Sequence, residues 1–359
     1  MSAVLLEARQ DGRRYPVEVG RLLPRRAAEV ASGRDRVALV SCARVLETPL
    51  GHRVAAELGK GALAATVILP DGERGKTLAA LESAARKLLR AGLTRQSLVV
   101  ALGGGAVTDA AGLLAALYMR GVDWLALPTT LLAMVDAALG GKTGANLPEA
   151  KNAVGAFHPP VAVLSDPAAL ATLPARELRS GLGEALKYGL LRPALLPRMA
   201  ASARRGRAGM DLVAECARVK LEVVERDPKE RGERKLLNLG HTFGHGVEAA
   251  GGFSRYKHGE AVAVGMAFAF RLARNLGRVG ADAVARAEEA IAGARLPVRV
   301  DGAVARRALT LMGYDKKRTA AGLRWVLPIH RGSDWAVEWD VTADDGAVRA
   351  TAREIGETR

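Results

Sequence analysis

Only two cysteines, Cys42 and Cys216, occur in 359 residues. That excludes a disulfide framework and fits a reducing, cytoplasmic setting. Aromatic residues make up 4%, too few for the stacking platforms that hold single-stranded nucleic acid. Long apolar runs are missing as well. The most apolar stretch, Ala261 to Phe270, is too short to span a bilayer, and its small residues suit a buried, tightly packed helix. The N-terminal Met-Ser-Ala-Val-Leu-Leu-Glu has no charged region followed by a long apolar run, so no secretory signal is expected. Acidic residues are in the minority, 38 against 53 Lys and Arg, for a formal charge of +15. Such an excess is compatible with nucleic acid, an anionic membrane surface or an acidic substrate. The arginines are spread along the chain, with one short cluster at Arg204, Arg205 and Arg207. An Arg-rich composition accounts for most of the charge. The expectation is a solvated basic surface and a pocket for a polyanionic small molecule, with neither nucleic acid nor membrane as partner.

What is present is a change of pattern. In the first half, strand-like runs (Arg36 to Ser41, Ser97 to Leu102, Asp123 to Leu127) alternate with helical spacing (Leu78 to Ala91, Val107 to Met119). Such alternation implies βαβ units and a mainly parallel sheet. After about residue 170 long Ala/Leu/Glu/Arg segments dominate: Ala175 to Leu191, Met210 to Arg226, His241 to Ala250, Glu260 to Leu276 and Ala281 to Ala292. They read as helices, followed by a late strand-like piece at Leu323 to Leu327. The expected organisation is an α/β nucleotide-binding domain over 1–170 and a mainly α-helical, metal- and substrate-binding domain over 171–359.

Several segments carry chemistry. Gly103-Gly104-Gly105-Ala-Val-Thr-Asp109 follows a strand and opens a helix, a setting that suits a nucleotide phosphate. Judged from its glycines alone, it is about as well explained by a tight structural turn. Gly75-Lys76-Thr77 and Gly141-Lys142-Thr143 invite a P-loop reading, but the required earlier glycine is replaced by Pro70 and Asp136, so a kinase or ATPase is disfavoured. Glu184, His241 and His258 lie in three segments that look like parts of one site. One carboxylate and two imidazoles leave an open position on a zinc-type ion, a catalytic rather than a structural set. His241 and His245 are spaced i, i+4 and share a helix face. Either both bind metal, or one binds and the other meets the substrate. The cationic candidates are Lys142, Lys151, Lys187, Lys220, Arg234, Lys316 and Lys317, any one of which is more often a solvated surface group.

Together these segments resemble the sugar phosphate cyclases, and within them the 3-dehydroquinate synthase family. The resemblance runs from about Glu73 to Pro328 and is densest from Leu102 to Asn152: Gly-Gly-Gly-Ala-Val-Thr-Asp, Tyr-Met-Arg-Gly, Pro-Thr-Thr-Leu-Leu-Ala-Met-Val-Asp, Gly-Gly-Lys-Thr-Gly-Ala-Asn and Lys-Asn. It resumes at Leu173 to Glu177, Gly183 to Lys187, Arg234 to His245 and His258 to Glu260. By this resemblance Glu184, His241 and His258 are metal ligands for zinc or cobalt, and His245 is a substrate contact. Glu73, Lys76, Gly104, Gly105, Asp109, Thr129, Thr130, Lys151, Thr172, Leu173 and Glu177 match NAD contacts. Asp136, Lys142, Asn152, Lys187, Lys220, Arg234, Asn238 and His245 match the substrate pocket. Lys316 or Lys317 matches a late substrate contact, and Arg120 an arginine lent to a neighbouring subunit, which implies a homodimer. Two departures concern packing only, Ala138 and Gly246 in place of the commoner Ser and Ala. A third is chemical: Cys42 stands where the family usually holds the adenosine ribose with an aspartate, and a thiol is a poor acceptor.

The implied substrate is 3-deoxy-D-arabino-heptulosonate 7-phosphate, an anionic sugar phosphate. The implied reaction yields 3-dehydroquinate and phosphate by transient NAD oxidation of a ring alcohol, phosphate elimination, re-reduction, ring opening and intramolecular aldol closure. The rivals are a cyclase for sedoheptulose 7-phosphate and a metal-dependent polyol dehydrogenase.

Overall fold

The computed structural model describes residues 3–21, 23–312, 318–319 and 322–356. In chain order it begins with β1 (Val4–Gln10), β2 (Arg13–Val19), α1 (Leu23–Ala31), β3 (Val37–Cys42), α2 (Ala43–Leu46), α3 (Pro49–Gly59), β4 (Leu63–Leu69) and α4 (Leu78–Arg90). Next come β5 (Leu98–Gly103), α5 (Gly105–Leu117), β6 (Asp123–Pro128), β7 (Lys142–Leu147), β8 (Ala150–Phe157) and β9 (Ala162–Ser165). The helical part follows: α6 (Ala175–Leu191), α7 (Leu196–Arg204), α8 (Met210–Arg226), α9 (His241–Ala250), α10 (His258–Asn275), α11 (Ala281–Gly293) and α12 (Gly302–Met312). Two-residue strands β10 (Arg318–Thr319) and β11 (Gly322–Leu323), the hairpin β12 (Trp325–Arg331) and β13 (Asp334–Val341), and α13 (Asp345–Gly356) end the described chain. Contacts divide it into two units, Met1–Leu173 with Gly209–Pro228, and Pro174–Ala208 with Lys229–Arg359. Helix α8 therefore belongs by contact to the first unit, although it follows α6 and α7 in the chain.

The first unit is built on a seven-stranded sheet in the order β1-β2-β9-β6-β5-β3-β4. Every neighbouring pair is parallel except β1 with β2. Successive side chains in a strand point to opposite faces, so a strand covered on both sides is apolar throughout. Strand β5 illustrates this. Leu98, Val100 and Leu102 join one core with residues of α1 and α3, while Val99 and Ala101 join the other with residues of α4, α5 and α8. The mainly parallel α/β layer expected from the alternation is thus present. The antiparallel edge β1–β2 and the hairpin β7–β8 were not anticipated. Helix α5 also stops two residues before the expected Met119, because Met119 and Arg120 turn to φ of 52° and 67°.

In the second unit, α6, α9 and α10 pack closely enough that backbone meets backbone. A Cβ added to Gly259 of α10 would lie 1.8 Å from the carbonyl oxygen of Ser180 in α6. A Cβ added to Gly265 would lie 1.8 Å from the carbonyl oxygen of Gly240, which caps the start of α9. Only glycine permits either approach. Gly246, one of the two packing departures, is tight too, since its added Cβ would lie 2.8 Å from the Ala308 carbonyl oxygen of α12. Stacked rings extend the core outward, with Phe243 and Phe268 centroids 4.1 Å apart and Phe268 and Trp325 5.4 Å apart. The Trp335 indole donates to the Leu190 carbonyl at 2.8 Å and ties the β12–β13 hairpin to α6. No described helix is long and apolar enough to cross a membrane.

Candidate functional site

The glycine contacts of the second unit sit beside the three residues singled out for a metal. Ser180 and Glu184 are one turn apart on α6. His241 is the first residue of α9 and His258 the first of α10. Gly240 makes the entry to α9 with φ of 82°, a left-handed turn that a side chain would strain. At the start of α10 the Glu260 carboxylate accepts from the Lys257 N–H at 2.9 Å and is held by Arg176 at 2.7 Å.

The result is a convergent cluster. One ligand atom from each of Glu184, His241 and His258 lies within 4.8 Å of the others. His258 Nε2 is 3.2 Å and His241 Nε2 3.5 Å from Glu184 Oε1. The far nitrogens are occupied as well. His241 Nδ1 is 3.3 Å from the Leu239 carbonyl oxygen, and His258 Nδ1 is 3.2 Å from Glu248 Oε2. Both Nε2 atoms therefore face the same Glu184 oxygen. A carboxylate oxygen with two imidazole nitrogens suits zinc-type ions and leaves a coordination position open. Glu184 is fully buried, and Lys187 Nζ lies 2.5 Å from its Oε2. Burial works against a charged His258 ring, but hydrogen bonds to Glu184 and Glu248 outweigh it and push the ring up to about 10. A cation must therefore displace a proton to bind there. His245 stands beside the cluster, its ring centroid 5.5 Å from that of His241. Among the described residues the group whose ligand atoms converge is Glu184, His241 and His258, without His245.

Elsewhere in this unit Arg234 is buried. Asn238 Nδ2 donates to Glu230 Oε1 at 2.6 Å, and Lys257 Nζ lies 2.7 Å from Glu177 Oε1. Lys316 and Lys317 lie outside the described residues.

In the first unit the glycine turn joins β5 to α5. Gly104 is the N-cap and offers no side chain, and its added Cβ would meet Thr130 Cγ2 at 2.9 Å. A bare helix start of this kind suits an anionic phosphate. The buried Lys76 ammonium bridges the carboxylate of Asp109 and the amide oxygen of Asn152. Burial holds the Asp109 carboxyl above its ordinary range, and Lys76 pulls the other way. Glu73 accepts from Asn146 at 2.5 Å. Thr129 N–H donates to the Gly103 carbonyl at 2.9 Å, and Thr130 Oγ1 accepts from the Ala133 N–H at 3.2 Å. Lys220 of α8 reaches the Asp136 carboxylate and, at 2.5 Å, its carbonyl oxygen. Arg120 and Lys142 are exposed, Lys151 is half-buried, and Thr172 and Leu173 close the unit.

Lys257, Asn146, Glu230 and Glu248 have a place in these networks and were not singled out in the sequence. Asn146 lies inside a quoted motif. Glu230 carries no sequence signal. Glu248 carries a usable one: it follows His241 by seven residues on α9, two turns along the same face. At the end of β3, the Cys42 thiol is raised by burial and by a hydrogen bond to Asp71. The carboxylate at this sheet edge is thus Asp71, 3.8 Å from Arg44 Nε.

Comparison with known proteins adds to this picture. The family described as 3-dehydroquinate synthase N-terminal matches residues 66–180, and that described as 3-dehydroquinate synthase C-terminal matches residues 181–318. The chain is 43% identical over 333 residues to a 3-dehydroquinate synthase of Nitrobacter winogradskyi, covering 88% of this chain and 87% of that protein. It is 43% identical over 345 residues to one of Xylella fastidiosa, covering 91% and 90%. Among solved structures, the 2-epi-5-epi-valiolone synthase of Streptomyces hygroscopicus subsp. jinggangensis, with NAD+ and Zn2+ bound, is 29% identical with a TM-score of 0.79, covering 99% of each chain. A 2-deoxy-scyllo-inosose synthase at 21% identity shares the fold, with a TM-score of 0.83 over 98% of this chain and 100% of that one.

The cluster makes a direct prediction. Metal-stripped protein takes up one Zn2+ per chain, and His258→Ala or Glu184→Gln weakens that uptake at least about 100-fold, as loss of one of three ligands should. Titration against a chromophoric chelator measures it. Undiminished uptake by both variants would dismiss the cluster as a metal centre.

Proposed function

The chain belongs to the 3-dehydroquinate synthase family, and from that premise we propose that it converts 3-deoxy-D-arabino-heptulosonate 7-phosphate to 3-dehydroquinate and phosphate as an NAD- and metal-dependent carbon–oxygen lyase. The observation that carries this reading is the convergence of Glu184, His241 and His258 in a chain with the full pair of family matches. When bound, NAD supplies reversible hydride transfer at a ring alcohol, and a divalent ion held by those three residues supplies Lewis acidity at its oxygen.

The protein's own residues then have defined tasks. The start of α5 at Gly104 and Gly105 offers backbone N–H groups to a pyrophosphate. Lys76, held between Asp109 and Asn152, places a buried positive charge near that turn. Glu73, Thr129, Thr130, Lys151, Thr172, Leu173 and Glu177 complete the nucleotide contacts in this assignment. Arg234 takes the substrate carboxylate, because a guanidinium fork pairs two oxygens at once. Lys142, Asn152, Asn238 and His245 take the phosphate, and their charge and donors favour its departure. Lys187 beside Glu184, and Lys220 on Asp136, each hold an ammonium proton against a carboxylate. Such pairs can lend or accept a proton at a substrate hydroxyl. Exposed Arg120, flanked by exposed Leu117 and Met119, is assigned to the neighbouring site of a homodimer. Both cysteines are buried thiols outside any disulfide, which supports assignment to the cytoplasm.

Three measurements bear on this reading. Purified protein should release phosphate from the heptulosonate with NAD far below stoichiometric, without NADH accumulating, and should leave sedoheptulose 7-phosphate intact. One NADH per turnover would instead make it a dehydrogenase. Arg234→Lys removes the fork and should lower kcat/KM by an amount worth about 2 kcal/mol or more; an unchanged value takes Arg234 out of the carboxylate role. Light scattering should report twice the chain mass, and a monomer at assay concentration would remove Arg120 from the site.

A further inference from the structure

We propose that Glu248 is the positioning residue of the metal centre: its carboxylate fixes the His258 ring through Nδ1 and so sets the affinity for the ion. This rests on reading Glu184, His241 and His258 as the ligands. Glu248 Oε2 lies 3.2 Å from His258 Nδ1, while Nε2 of the same ring lies 3.2 Å from Glu184 Oε1. A neutral imidazole carries one N–H. An acceptor at Nδ1 draws the N–H there and leaves the lone pair on Nε2, where the ion would sit. His241 is set the same way by a neutral acceptor, the Leu239 carbonyl oxygen at 3.3 Å. The two ligand rings therefore differ. One is oriented by the backbone, the other by a carboxylate, which also makes its ring the stronger donor to a metal.

Burial gives the contact its weight. Glu248 is 4% exposed, and an ionised carboxylate that far from water is costly unless matched. Its Oε2 meets the ring on the side away from Glu184, so the His258 imidazole is held between two buried carboxylates. The side chain is also separable from the helix it sits on. The Glu248 carbonyl closes the end of α9 by accepting from the Phe253 N–H at 2.9 Å, a backbone bond that a side-chain change leaves in place.

The test is Zn2+ affinity of the full chain, stripped of metal and free of NAD and substrate, by chelator competition. The absorption bands of bound Co2+ give a second readout. Glu248→Gln should bind Zn2+ about 10- to 100-fold more weakly and shift the Co2+ bands, with NAD affinity near wild type. Glu260→Gln disturbs the start of α10 without touching the ring and should leave Zn2+ affinity near wild type. Equal loss in both variants would mean general loosening of α10 and overturn the assignment, as would a Glu248→Gln protein with unaltered affinity and Co2+ bands. Should the variant fail to fold, nitrogen-15 NMR of Zn2+-loaded wild type decides, expecting a protonated Nδ1 and a ligated Nε2 on His258. The reverse arrangement overturns the proposal. If wild type takes up no Zn2+, the ligand reading itself falls and takes this inference with it.

Discussion

A carboxylate without solvent exposure, placed between two imidazoles, is the constraint around which the helical unit is organised. Glu184 is fully buried, and stripping such a group of water costs several kcal/mol unless positive charge replaces the lost hydration. Lys187 supplies one charge from the same helix at 2.5 Å. The two Nε2 atoms, at 3.2 and 3.5 Å, mark where another belongs. Holding three donors that close demands that three helix segments approach to backbone contact. Gly259 against Ser180 and Gly265 against Gly240 satisfy that demand, because interiors are too densely packed to accommodate even one extra carbon at 1.8 Å.

The α/β unit repeats the theme with different chemistry. Lys76 is buried against Asp109 and Asn152, and Lys220 against Asp136. Buried ion pairs of this kind are weak sources of stability, since desolvation offsets most of their attraction. Their presence in both units, next to the glycine turn in one and the histidine cluster in the other, accords with a function that moves protons and neutralises a polyanion. The sheet's role is to support this arrangement. Its apolar central strands lock β5, and with it the turn at Gly103 to Gly105, into a rigid frame.

Much of this was legible in advance because it is local. Short apolar runs alternating with amphipathic ones announced the parallel sheet, and the bounds of α6, α8 and α9 followed from helical periodicity alone. Residues that act through a distant partner were harder. Asn152 sits in a legible motif, but nothing local announces that its amide oxygen meets Lys76, 76 positions earlier. Cys42 could be identified as an unusual residue, but the carboxylate beside it, Asp71, comes from the end of the neighbouring strand. Glu248 was passed over because a single acid on a helix reads as a solvated group until its burial is known.

The sequence by itself determined the class of the chain. Apolar periodicity expresses which face of each element must leave water, and the ordered glycine, lysine and histidine motifs identify the chemistry to be housed. Only the tertiary structure decided which atoms meet. It turned Nε2 of both His241 and His258 toward Glu184 and left the His245 ring next to them. It also turned an acid two helical turns along α9 into the partner of His258 and gave α8 to the first unit. Those outcomes depend on helix approach distances and on burial, which arise from close packing between segments remote in the chain; the seven-residue spacing of His241 and Glu248 puts them on one face but does not say which ring the acid meets.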